Sequence, residues 1–143
     1  MSEREIIGES AAASSCGEST ASVGQTIPAW TLSVYDRAAM LERMMGDEEL
    51  AAMVLGVFLD DLPRQIALLK EMVAREEPDC GRQAHAIKGA AANVGGERLT
   101  MVALGMEKAA DRGDLSAVRA SMASLEAEFA VLREMILAAM PPS

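Results

Sequence analysis

The chain has 143 residues, half of them apolar and only 3 % aromatic, which suits one domain with a real core plus a tail. Ala, Leu, Met, Glu and Arg dominate, and these favour helices over strands. The formal net charge of −9, with no Lys/Arg cluster, excludes nucleic acid and anionic lipid as partners, because both need a basic face.

Residues 1–28 read as a flexible low-complexity tail or linker. Positions 10–22 are mostly Ala, Ser, Gly, Thr and Glu and offer little to bury. Residues 1–8 carry acids and lack an apolar signal core. The longest apolar run, 50–59, is about half the length a membrane span needs. The expectation is a cytoplasmic protein. Cys16 and Cys80 make no disulfide framework, and no C-x-x-C pair or His/Cys cluster points to a metal.

From residue 33 onward the pattern predicts five helices. The first, 35–45, is short, with Ala38, Leu41 and Met45 on its packed side and Gly46 ending it. Asp47 can cap the second, 48–76, whose apolar face is Val54, Phe58, Leu62, Leu69 and Val73. Pro63 inside it predicts a kink rather than a stop. The third begins at Pro78-Asp79 and ends near Gly95-Gly96. The fourth, 97–112, has Leu99, Val102, Met106 and Ala109 as its stripe, and Gly113 closes it. The fifth, 115–140, repeats Leu115, Val118, Met122, Leu125, Phe129, Leu132 and Ile136 at alternating three- and four-residue spacing, the seam of a helix in a bundle. Short connections between long amphipathic helices favour antiparallel neighbours. The predicted architecture is all-α: an antiparallel four-helix bundle with a short additional N-terminal helix across one end. The eleven methionines read as core filling.

The third helix carries the chemistry. At about 100° per residue, Cys80, Ala84, Ile87, Ala91 and Val94 share one face, and His85 falls about 140° from its middle. The ring should therefore point outward, with Gly81, Lys88, Gly89 and Ala92 as its helical neighbours. Two glycines inside a helix each cost about 0.5–1 kcal/mol relative to alanine, and room for a docking partner would explain them. Neutral imidazole is a competent nucleophile near pH 7. A phosphoryl group on it would add negative charge that Lys88 could partly balance. The chain has no nucleotide-binding glycine loop and no acidic metal pocket beside a Lys. It reads as a phosphate carrier without machinery to make the phosphate, and so not as an enzyme. The alternatives are a non-transferring helical module that docks its partner, and a bundle using His85 and a methionine to hold a haem or metal. The lack of a second histidine weakens the latter.

The segment Ala84-His85-Ala86-Ile87-Lys88-Gly89, followed by Ala91-Ala92-Asn93 and Gly95, resembles the histidine phosphotransfer (HPt) domain family, whose pattern is Ala-His-x-Leu-Lys-Gly and then small residues. The resemblance extends over about 33–139 and includes Phe58, Asp61-Leu62-Pro63 and Met106-Glu107; Ile87 and Met106 replace the commoner leucines at similar volume. It implies an HPt domain over 33–140 that receives phosphate from a receiver-domain aspartate of a hybrid histidine kinase and passes it to the receiver of a response regulator. By resemblance His85 is the phosphoacceptor, Lys88 supports charge and Glu107 orients the imidazole. Gly81, Gln83, Gly89 and Ala92 belong to the docking surface. A monomer without a cofactor of its own is expected, with the catalytic acids and magnesium on the partner receiver. The leader resembles an interdomain linker.

Overall fold

In the computed structural model, which describes residues 32–140, aspartates stand at the start of four of the five helices, and three of them cap through the side chain. The helices are α1 Arg37–Arg43, α2 Glu48–Ala74, α3 Cys80–Asn93, α4 Glu97–Asp111 and α5 Leu115–Ala139. Asp36, Asp47 and Asp114 accept from the backbone N–H groups of Ala39, Leu50 and Ala117 at 3.0, 3.0 and 3.1 Å, satisfying donors that a helix start leaves free. The predicted tail, residues 1–28, lies outside the described residues.

All four interhelical turns use one device. A residue in the left-handed region (Met45, Glu76, Gly95 or Gly113) follows the helix. The N–H of the residue after it then reaches back to the last turn: Gly46 to Leu41 O, Glu77 to Met72 O, Gly96 to Ala91 O and Asp114 to Ala109 O, at 2.8–3.0 Å. This is the Schellman closure, and it ends each helix sharply. Pro63 stands inside α2 without stopping it.

The sharp turns fold the long helices back on one another. Gln83 of α3 meets Gln65 of α2, Lys70 of α2 meets Glu126 of α5, and Arg119 of α5 meets Val73 of α2. Arg98 of α4 lies 3.7 Å from Glu128 of α5. Along α2 and α5 one number rises as the other falls, and the short turns reverse each successive helix, so α2 to α5 form an antiparallel four-helix bundle. There is no strand among the described residues. The segment before α1 is tied across one end: Asp36 N–H donates to Gly95 O at 2.7 Å and Arg98 N–H to Ser33 O at 3.2 Å. A Cβ at Gly95 would collide with the Asp36 carbonyl, so glycine serves there both for its φ of +82° and for the close approach.

The core runs the length of the bundle, with Leu62, Leu69, Ile87, Leu99, Met106, Leu125, Leu132 and Ile136 almost wholly buried. Phe58 and Phe129 meet edge to face at 6.0 Å. The predicted faces of α3 and α5 match, except that Leu115 is only half-buried. In α1 the buried residue is Met40, whereas Ala38 and Met45 are exposed, because the helix stops at Arg43 and Met45 sits in the turn. In α2, Leu55 and Ile66 join the core and Val54 lies at its margin. In α4, Ala103 takes the buried position expected of Val102.

Candidate functional site

With Cys80, Ala84, Ile87 and Ala91 turned into the core, α3 presents His85, Ala86, Gly89 and Asn93 outward. The distance between α3 and α4 is set one turn before His85. Gly81 is buried, and a Cβ built there would lie 3.0 Å from the Ala110 Cβ. Glycine at this point lets α4 come close enough for Glu107 to reach the ring. Gly81 is therefore not part of the open surface expected of it. A helical wheel places it beside His85, but on the side that α4 covers.

Glu107 is the hub. Its Oε2 lies 2.8 Å from His85 Nδ1, and its Oε1 accepts from Lys88 Nζ at 2.9 Å. The imidazole side chain is 63 % exposed, whereas Lys88 and Glu107 are only 25 % and 21 % exposed. The Lys88 hydrogen bond holds the Glu107 carboxyl below the ordinary carboxylate range, outweighing partial burial, and the His85 bond adds to it. An ionised carboxylate only accepts hydrogen bonds. A neutral ring must then carry its proton on Nδ1, which leaves the lone pair on Nε2. Lys88 is thus committed to Glu107, and does not stand free beside the ring as its sequence position suggested.

An open hollow of about 300 Å³ adjoins the ring, lined by Gly81, Arg82, His85, Glu107 and Asp111. Arg82 and Asp111 were not anticipated from sequence. Arg82, three residues before His85, was detectable in principle from its place in the helical repeat. Gly89 is exposed, and a Cβ there would meet nothing within 4 Å. Gln83 is half-buried and donates its Nε2 to Gln65 O at 3.0 Å, so its amide nitrogen is tied to α2. Ala92 lies two turns beyond His85, half-buried beside Ala39 and Arg43 near α1. On the other flank of α3, Val54, Val57, Asp61, Ala90 and Asn93 border a second hollow of about 140 Å³. Met53 and Val57 are strongly exposed on α2.

Among the described residues no group of three or more His, Cys, Asp or Glu side chains is placed to hold a metal ion. Among them no helix is long and apolar enough to cross a membrane. The arrangement is that of an exposed imidazole whose neutral tautomer is fixed by the carboxylate beneath it. The Hpt domain family model matches residues 53–139, which takes in α3, α4, α5 and most of α2. No curated protein matches the chain.

Proposed function

Because the chain belongs to the Hpt domain family, whose members are histidine phosphotransfer intermediates of two-component phosphorelays and interact with receiver domains, we propose that His85 is its phosphoacceptor, taking a phosphoryl group from the receiver aspartate of a hybrid histidine kinase and passing it to the receiver of a response regulator. The observation that carries this reading is the 2.8 Å contact between Nδ1 and an ionised Glu107 on a ring that is otherwise mostly exposed.

The transfer balances without moving a proton. The Nε2 lone pair attacks phosphorus. The P–O bond to the partner's aspartate breaks, the carboxylate leaves with that electron pair, and a P–Nε2 bond forms. The Nδ1 proton stays in place, so the ring becomes a phosphoimidazolium with its positive charge against Glu107. Passing the group on reverses each step and returns the pair to Nε2. The acids and magnesium that activate an aspartyl phosphate belong, in this reading, to the receiver domains. The chain needs no cofactor of its own and acts as a monomer in the cytoplasm. Gly89 and Ala86 leave room for the receiver to approach, and Met53 and Val57 on α2 supply apolar surface beside that approach. Gln83 and Ala92 lie at its rim.

His85 is the only histidine in the sequence. Its replacement, His85→Gln, should keep the helical circular dichroism and lose all acid-labile phosphate after incubation with a phosphorylated receiver. Labelling that persists in this variant would falsify the assignment.

A further inference from the structure

A phosphoryl group on His85 would add a charge of about −1.5 to −2 beside the hollow that this residue lines. Two carboxylates, Glu107 and Asp111, already line that hollow. Lys88, the cation one turn along the helix, is three-quarters buried and bonded to Glu107. Its charge is spent on holding that carboxylate in place. The remaining cation is Arg82. It sits three residues before His85 on the same helix, is exposed, and lines the same hollow as the ring. Among the described residues no ion pair within 4.0 Å engages it.

We propose that Arg82 binds the phosphoryl group carried on His85, and that Lys88 acts instead as a positioning residue that fixes Glu107 under the ring. This rests on the reading of His85 as phosphoacceptor. The chemistry of the side chain suits the task. A guanidinium offers parallel N–H donors to two phosphoryl oxygens, and its long stem can swing across one helical turn. Without Arg82 the phosphoryl group would face Asp111 and Glu107 with no free cation from the hollow. Because Arg82 is exposed on the surface of α3, removing its head group leaves the core untouched.

The test uses the full chain phosphorylated with potassium phosphoramidate. The P–N bond to ammonia breaks and a P–Nε2 bond forms, so no partner protein is needed. One histidine gives one phosphohistidine signal in 31P NMR. The shift of that signal is followed through the second ionisation of the phosphoryl group. A guanidinium at the phosphoryl oxygens favours the dianion, so the wild-type midpoint should lie below that of Arg82→Ala by about half a pH unit or more. Arg82→Lys should recover part of the difference, since it restores the charge but not the fork. A midpoint unchanged in Arg82→Ala would overturn the assignment. So would a midpoint that moves in Lys88→Ala while Arg82→Ala titrates like wild type. A wild-type chain that forms no phosphohistidine signal at all would remove the acceptor reading itself, and the Arg82 assignment with it.

Discussion

Replacing Gly89 and Gly81 of α3 separately with alanine should move stability in opposite directions. Both sit inside the helix, so both substitutions restrict the unfolded chain and favour helix by about 0.5–1 kcal/mol. At Gly89 the new methyl meets nothing within 4 Å, and the full gain should appear. For a domain of this size that raises Tm by roughly 2–5 °C. At Gly81 the methyl would stand 3.0 Å from the Ala110 Cβ, well inside the 3.5–4.0 Å at which carbon atoms attract. Both atoms are fixed directly to helical backbones, so neither can rotate away. The helices must part by a few tenths of an ångström, and overpacking of this kind costs about 1–3 kcal/mol. The net effect at Gly81 should be a loss of up to about 2.5 kcal/mol, with a weakened His85–Glu107 bond as a second consequence. Urea unfolding followed by circular dichroism measures both variants on one scale. A Gly81→Ala protein as stable as Gly89→Ala would show that the close approach of α3 to α4 has slack, and that it does not set the depth of Glu107.

A longer side chain at the open position, Gly89→Gln, should melt no lower than wild type yet transfer phosphate on the order of a hundredfold more slowly, because the partner's reacting atoms are held off; full transfer by a stable variant would take Gly89 out of the docking surface. Lys88→Ala should slow transfer several-fold, about 1 kcal/mol in the barrier, without abolishing it, and a loss as complete as in His85→Gln would show that the lysine does more than steady Glu107. The folded-state pKa of Glu107 is lowered, so the stability tied to its charge is present above the ordinary carboxylate range and is lost as pH falls through the lowered value. Wild type should therefore exceed Glu107→Gln in stability at pH 6 by more than it does at pH 3, and an equal margin in urea titrations at both would contradict the ion pairing with Lys88. A chain beginning at Pro28 should melt and accept phosphate as the full chain does, which a large drop in either would disprove.

The long helices were legible because their spacing is regular. Every residue placed on the core face of α3, from Cys80 to Val94, is buried, and the α5 seam from Val118 to Ile136 is too. The errors fall where periodicity has little to work on. The seven residues of α1 make two turns, too few to resolve which face packs, and the left-handed Met45 removes a residue that the pattern counted as helical. In α4 the small Ala103 is wholly buried, and a wheel weighted by hydrophobicity prefers its larger neighbour Val102. The candidate site follows the same rule. The outward direction of His85 is a property of one helix and could be read from it. Which flank of His85 would be covered by α4 is a property of two, so Gly81 passed for open surface. The pairing of Lys88 with Glu107 spans 19 residues and two helices, and a single helical wheel showed only that the lysine shares the histidine's side.

The ring, its supporting carboxylate and the hollow beside them are all built from α3 and α4, within 81–111. The exposed apolar residues Met53 and Val57 stand on α2, which contributes nothing to that hollow. On the proposed reading, α3 carries the acceptor and part of the docking surface, and α2 adds apolar docking surface that is no part of the acceptor site. Changes along α2 could redirect the domain to another receiver while leaving the proton on Nδ1 and the reach of Glu107 as they are. Where a cell runs several relays side by side, this division would let insulation between them be adjusted through α2 without altering the proposed acceptor site.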